Sequence, residues 1–302
     1  MKNKIPFFSV VVTTYNRKDL LKKNISSILN QTFTDFELII IDNYSNYDFI
    51  EFIKSFNDDR IKPYQNQNNG NIAVNRNFGI YKAKYKYISF CDDDDFWFPN
   101  KLEVVYSSII NNPNCILYCH WEVLEKNGKD IKILKHGPTS RKMYESLLFN
   151  GNKVSTSAAT VERKIAIEEK GFNESRELLT VEDFDFWLRL AKRGNFHFIN
   201  QVLGKYVLFG NNESSNLKLH AEANFYLREK YIKLYLNDNK ISAFRLKMFY
   251  SKMWSYKSAS YLKMQEFHKS RKYTYKALKY NPFNLKAWII MFFSTIEVSI
   301  RK

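Results

Sequence analysis

Cysteine is scarce in this chain. Three residues in 302, Cys91, Cys115 and Cys119, do not make a secreted disulfide framework, and Cys115 and Cys119 lack the paired spacing of a zinc site. Reduced, cytosolic thiols are the expectation. Long apolar runs are missing as well. The start, Met1-Lys2-Asn3-Lys4, leads into a short apolar stretch broken by Thr13-Thr14, which does not fit a signal peptide. The longest apolar stretch near the C-terminus, residues 287–293, falls well short of the roughly 20 residues that cross a bilayer, so no membrane-spanning segment is expected. The first apolar run ends in Thr13-Thr14-Tyr15-Asn16 rather than in a Gly-rich, basic phosphate loop, which counts against a nucleotidyltransferase.

The chain is rich in core-forming residues, 45% hydrophobic and 17% aromatic, enough for one large domain or a domain with an appendage. Its net charge of +16 is uneven. From Ala221 onward there are 17 Lys+Arg against 5 Asp+Glu, leaving 30 against 26 for residues 1–220. A basic tail points to an acidic partner, nucleic acid or an anionic membrane surface; the plain alternative is lysine-rich helices with solvated faces.

Residues 7–12 form a continuous apolar, β-branched run, the pattern of a strand buried on both faces. An amphipathic helical stripe follows (Leu21, Ile25, Ile28, Leu29), then a second strand over 36–41 ending at Asp42. A helix over 49–56, a short strand near Ile61, a Gln/Asn/Gly loop and a helix over 74–82 lead to the strand before Asp92. This alternation predicts a mainly parallel α/β sheet. Ligands bind such sheets beyond the carboxyl ends of the strands, where Thr13, Tyr15, Asp42 and Asp92 to Asp95 fall. Strands are also expected over 115–123 and 155–161, with an amphipathic helix carrying Phe184, Trp187, Leu188 and Ala191. Residues 221–302 read as helical throughout, and 277–287 resemble the turn of a single tetratricopeptide-like helix pair.

Four consecutive aspartates, Asp92-Asp93-Asp94-Asp95, follow the apolar run 87–91, with Trp97 and Pro99 close behind. Like charges this close do not all stay ionised without a cation. Hard divalent metals take oxygen ligands and bridge to phosphates. A solvated acidic turn is the alternative; a calcium loop of the EF type needs alternating carboxylates, a Gly and a distal Glu, which are absent.

In order along the chain, Val10 to Arg17, Gln31-Thr32-Phe33, Asp35 to Asp42, Arg76-Asn77, Asp92 to Trp97 and Glu182-Asp183 resemble the motif set of family 2 glycosyltransferases, inverting enzymes with the GT-A fold. The resemblance covers residues 6–215 and leaves the basic C-terminal region outside. It implies an α/β fold: a GT-A, Rossmann-like, mainly parallel sheet flanked by helices over residues 1–220, to which the helical pattern of 221–302 adds a C-terminal extension. Within 1–220 it implies a nucleotide-binding half of about 1–100 and an acceptor-binding half of about 101–220.

The resemblance further implies that Thr13, Tyr15 and Asp42 hold the nucleotide, Asp42 accepting from uracil N3–H and Tyr15 stacking on the ring; Asn43 stands where a second Asp is common. Arg76 is implied for the diphosphate by charge-assisted bonding, the competing reading being a surface arginine paired with an acid. Asp94 is implied for direct contact with a divalent metal (Mn2+ or Mg2+), and Asp92 for the ribose or the metal's water shell. Asp93 joins the donor-binding set, within the one-residue ambiguity of a four-Asp run. Asp183 is implied as the base that deprotonates the acceptor hydroxyl, although Thr180-x-x-Asp183 also fits a capping box. Glu182 is implied to support acceptor binding or site geometry, and Trp187 reads as core rather than a sugar platform. His120 and Trp121 lie where acceptor contacts are expected, although a lone His is more often structural. Residues 210–215 read as a loop that closes over the donor. No Gln-x-x-Arg-Trp motif of processive members is present.

The expected activity is transfer of one sugar from a nucleotide-sugar, UDP favoured with thymidine and guanosine open, to a hydroxyl of a growing surface glycan. The expected acceptor is lipid-linked, as in lipopolysaccharide or capsule. The expected location is the cytoplasm, with residues 221–302 meeting the anionic inner face of the cytoplasmic membrane. A nucleotidyltransferase shares the carboxylates and metal. A basic nucleic-acid-binding protein would explain the tail, by non-specific affinity alone, and not the acidic strand ends; no specific nucleic-acid recognition is expected. A protein partner or homo-oligomerisation through the tail is left open.

Overall fold

The structure, a computed structural model, describes residues 7–208 and 216–297. The start at 1–6 and the whole of the expected closing loop at 210–215 lie outside the described residues, as do 298–302. The chain divides into two compact units, Met1–Glu174 with Glu182–Gly210, and Ser175–Val181 with Asn211–Lys302.

In the first unit, β1 (Phe8–Thr14) and β2 (Phe36–Asp42) are buried at every residue, as unbroken Val/Ile runs are when both sheet faces are covered. Helix α1 (Lys18–Leu29) joins them. There follow α2 (Phe49–Lys54), β3 (Ile61–Gln65), α3 (Ile72–Lys82), β4 (Tyr87–Asp92), β5 (Phe96–Trp97), α4 (Lys101–Asn111), β6 (Cys115–Lys126), β7 (Lys129–Leu134), α5 (Met143–Asn150), β8 (Ala159–Glu162), α6 (Arg163–Glu168), α7 (Glu182–Leu190) and β9 (Asn195–Leu208). The sheet order is β3-β2-β1-β4-β8-β6-β9-β5, with β7 paired to β6. Strands β1 to β4, β6 and β9 share one direction, and β5, β7 and β8 oppose it. One face of β1, Val10 and Val12, packs with Leu21 and Ile25 of α1 and with Leu102 and Val105 of α4. On the other face α3 comes so close that a Cβ at Gly79 would overlap Val11.

The strand expected over 155–161 begins only at Ala159, and residues 156–158 form a turn. Ser157 is drawn out of the ladder by other bonds: its hydroxyl donates to Asp95 Oδ2 (2.5 Å) and accepts from the Asp92 N–H (3.0 Å), and its carbonyl accepts from Trp97 Nε1 (2.9 Å). The helix expected over 49–56 ends at Lys54.

Asn77 staples the segment after α6. Its Oδ1 accepts from the Phe172 N–H (2.7 Å), and its Nδ2 donates to Phe172 O (2.8 Å) and Glu174 Oε1 (2.7 Å). Gly171 makes this possible: it sits at φ +65°, and a Cβ there would overlap Asn77 Oδ1. Gly171→Ala is therefore expected to cost roughly 2–4 kcal/mol, a left-handed penalty of about 1–2 together with the disturbed Asn77 bonds at about 1 each. Chemical denaturation measures it, and an unchanged midpoint would mean that Asn77 does not hold this segment.

The second unit contains a short 3-10 turn at Arg176–Leu178 and four helices, α8 (Leu217–Asp238), α9 (Ala243–Lys263), α10 (Phe267–Tyr280) and α11 (Leu285–Thr295). Small polar residues let α9 and α10 approach closely: Ser258 Oγ lies 2.6 Å from Thr274 Oγ1 and 2.8 Å from Ser270 O. Asn284 caps α11, accepting from Ala287 N (3.1 Å), while its Nδ2 reaches Ser251 and Ser255 on α9. Thr180, at φ +73°, has its hydroxyl and its carbonyl 3.1 and 3.2 Å from His220 Nδ1. No helix among the described residues is long and apolar enough to cross a membrane.

Candidate active site

The sheet register sets the frame. Thr13 lies beside Ile41 on β2 and Asp92 on β4, and Thr14 lies beside Asp42. The strand order reverses at β1, so its C-terminal end opens between β2 and β4, the place where ligands enter such sheets. Thr13 is buried and Tyr15 is 54% exposed, free to stack. Asp42 is fully buried, and its carboxylate already accepts from Ser45 Oγ, Ser45 N (2.9 Å) and Gln65 Nε2 (3.1 Å). Asn43 Oδ1 accepts from the Asn68 N–H (2.8 Å), fixing the Asn-rich loop beside it.

The four aspartates separate by role. Asp92 Oδ1 pairs with Arg76 (2.7 Å); Asp93 accepts from Thr14 Oγ1 (2.7 Å) and Arg17 (3.1 Å); Asp94 pairs with the same Arg17 nitrogen at 3.0 Å. Asp95 is fully buried, bonded to Ser157 and to the Val207 N–H (2.9 Å), so it ties β9 to this loop. Asn24 fixes the turn by donating to the carbonyls of Asp92 (3.0 Å) and Asp95 (2.8 Å). Beneath lies Lys101, fully buried, with Nζ 3.5 Å from the Trp97 ring centroid and pushed down to about 7 by burial.

Burial, then the charges of Asp92 and Asp93, push the Asp94 carboxyl up to about 7, with Arg17 opposing. Burial also raises Asp93 against Arg17 and Thr14. Such crowding is relieved by a cation. No set of three or more His, Cys, Asp or Glu among the described residues forms a metal cage. The carboxylates present fit the other kind of site, in which one or two carboxylates hold a hard cation and substrate phosphates complete its shell.

Across from them, α7 opens with Glu182 and Asp183 in its first turn. Arg76 lies between, with one terminal nitrogen 2.6 Å from Glu182 Oε1 and the other 2.7 Å from Asp92. The pairing alternative is thus the one seen, in a buried rather than a surface setting, and both terminal nitrogens are taken by carboxylates. Burial alone would depress this guanidinium; Asp92 and Glu182 more than reverse that and keep it charged. Glu182 Oε2 is buried with no hydrogen-bond partner among the described residues. Asp183 accepts from its neighbour Phe184 N (2.6 Å) and from Asn152 Nδ2 (3.0 Å). Burial, then Glu182, pushes the Asp183 carboxyl up to about 7, with Arg76 opposing. Asn152 Oδ1 accepts from the Val154 N–H (3.1 Å), which turns its NH2 toward Asp183. In the capping alternative, Thr180 has its hydroxyl on His220.

The two acceptor-side candidates lie apart from this cluster in kind. His120 is fully buried, its Nδ1 against the Trp121 carbonyl (2.8 Å), so its ring is not presented to an acceptor. Trp121 is half-buried and donates to His136 O (3.2 Å). Trp187 is fully buried against Phe172 and Phe186. Arg17, Asn152 and Ser157 carry site contacts that no sequence pattern assigned to them; only Arg17, at the polar end of the first strand, had a local signal.

A family model described as glycosyl transferase family 2 matches residues 9–169. The chain is 30% identical over 289 residues to the GalNAc(5)-diNAcBac-PP-undecaprenol beta-1,3-glucosyltransferase of Campylobacter jejuni, covering 91% of this chain and 86% of that protein. It is 30% identical over 205 residues to an uncharacterized glycosyltransferase of Rickettsia bellii, covering 68% of this chain and spanning 29% of that protein's length. Among solved structures, S. aureus TarS 1-349 in complex with UDP-GlcNAc superposes with a TM-score of 0.67 at 14% identity, over 96% of this chain and 88% of that one. The mannosyltransferase PcManGT from Pyrobaculum calidifontis, in complex with GDP-Man and Mn2+, gives 0.63 at 13% identity, over 97% and 81%. At such identities the likeness shows the fold, and the fold is GT-A. A nucleotidyltransferase reading has no support left. The chain belongs to glycosyl transferase family 2 and is a glycosyltransferase.

Proposed function

We propose that this protein is an inverting, metal-dependent glycosyltransferase that moves one sugar from a UDP-sugar to a hydroxyl of a lipid-linked surface glycan. The observation that carries this reading is the bridge Asp92–Arg76–Glu182. One buried guanidinium joins the carboxylates suited to the donor's diphosphate to the helix turn that holds the base. Support for the acceptor class comes from the Campylobacter relative, whose name specifies an undecaprenol diphosphate acceptor.

In this reading the acceptor oxygen attacks the anomeric carbon from the face opposite the diphosphate, the bond to the diphosphate breaks, and the configuration inverts. The Asp183 carboxylate takes the hydroxyl proton. Asn152 holds that carboxylate in place, and Glu182 supports the geometry of the site through its bond to Arg76. Asp94 and Asp92 would hold the divalent cation, which when bound would neutralise charge on the departing diphosphate. Tyr15 stacks on the base, and Thr13 and Asp42 shape the nucleotide pocket, Asp42 by way of Ser45 and Gln65.

Thermal stabilisation by UDP, dTDP and GDP, each with and without manganese, tests the donor site on wild type and Asp94→Ala. A rise with UDP that requires both manganese and Asp94 is expected, roughly 2–3 kcal/mol at a hundred-fold excess over Kd. No rise with any nucleotide would overturn the reading, and a rise with GDP alone would replace its donor.

A further inference from the structure

Helix α11 is apolar on both sides. Ala287, Ile290 and Ser294 are buried against the rest of the helical unit and fix its orientation. The outward side carries Leu285, Trp288, Ile289, Phe292 and Ile296, at helical spacing and 45–72% exposed, and Phe283 at the preceding turn is 92% exposed. A surface helix in water presents polar residues there, so this face has an unmet partner. A cleft of about 320 Å3 lined by Tyr275, Leu278, Pro282, Trp288 and Met291, with Lys279, continues it.

We infer that this face of α11 docks the protein on an anionic lipid surface, lying in the plane of the interface. Charge selects the occupant. Residues 221–302 hold 17 Lys+Arg against 5 Asp+Glu, and Lys272, Lys279 and Lys286 are exposed on α10 and at the start of α11. A second copy would bring the same positive charge to the contact, whereas anionic headgroups complement it. Leu, Ile, Phe and Trp beside lysines are what an interfacial helix buries. The Trp288 indole N–H donates to Pro282 O (2.7 Å), so the ring enters an apolar layer without an unpaired donor. Eleven residues make a helix of roughly 16 Å, too short to span a bilayer. The inference deepens the lipid-linked acceptor reading and rests on it, since such an acceptor is met at a membrane.

The test is flotation of the full chain with vesicles of phosphatidylcholine alone or mixed with phosphatidylglycerol, at physiological salt. Wild type is expected to float with the mixed vesicles. Lys272→Gln/Lys279→Gln/Lys286→Gln is expected to weaken binding roughly five-fold per lysine, and Trp288→Gln/Phe292→Gln at least about ten-fold. All these positions are exposed or half-exposed, so melts should match wild type. Vesicle binding unchanged by both variants overturns the inference. So does a dimer in light scattering that only the Trp288/Phe292 variant dissociates, or salt-sensitive retention on RNA without flotation. Manganese-dependent nucleotide stabilisation of the same samples separates the two readings: if it persists while flotation fails, only the docking face is lost.

Discussion

Asp183→Asn lowers kcat by roughly 100- to 10,000-fold, the contribution of a positioned general base, and leaves nucleotide-dependent stabilisation intact. The two readouts separate because Asp183, on α7, bonds to Asn152 and takes no part in the Thr14, Arg17 and Asp93 contacts. A variant that keeps more than about a tenth of kcat would place the base elsewhere, with Glu182 the next candidate. The pH dependence has a definite sign. Burial, then Glu182, raises this carboxyl from 3.8 to about 7. Only the ionised form takes a proton, so kcat/KM climbs as pH rises through about 7 and levels off above it. Stability runs the other way. The folded state favours the protonated carboxyl, so this group's contribution is complete below 3.8 and lost as pH rises toward 7. Activity gained and stability lost over one window is the signature to look for; a profile flat from pH 6 to 8 would dismiss Asp183 as the base.

Arg76→Met costs roughly 3–5 kcal/mol of stability, as expected when one partner of a buried ion pair is removed. The Arg76 and Glu182 side chains are each only 6% exposed, so their charges have little water to fall back on. At roughly 2–4 °C per kcal/mol for a unit of this size, the melting temperature drops on the order of 10 °C. Arg76→Lys recovers part of this, because a single ammonium does not reproduce the planar fork that serves two carboxylates. Arg76→Met/Glu182→Gln recovers more, since it removes the stranded buried charge. A single variant melting within about 1 kcal/mol of wild type would mean that the bridge contributes no more than a surface pair. Activity follows stability here, because the same guanidinium positions Asp92 and Glu182.

The parts of the fold that could be read from the residues are those in which one pattern dominates. Strands β1 and β2 are unbroken apolar runs buried throughout, and α1 repeats its buried positions at Leu21, Ile25 and Ile28. Strand β9 escaped because it mixes His197, Asn200, Gln201 and Lys205 into its apolar residues, and a register shift opposite His120 and Trp121 breaks its alternation. The turn at 156–158 replaced an expected strand because Ser157 serves three distant partners. The same division applies to the site. Clustered carboxylates announce themselves, but their pairing does not: that Asp95 faces the frame while Asp94 faces Arg17 depends on residues far along the chain. Asn152 lies in a stretch with no helical or strand period, so its bond to Asp183 was invisible locally.

Thr180, held at φ +73° beside His220, sits only two positions ahead of Glu182. Residues 175–181 belong to the helical unit, although the chain on both sides of them belongs to the sheet. Recombination that exchanges the helical unit at a single junction near residue 210 would therefore split one structural body between two parents. It would carry His220 away and leave Thr180 behind. Chimeras of this enzyme need both segments of the helical unit, 175–181 and 211–302, from the same source.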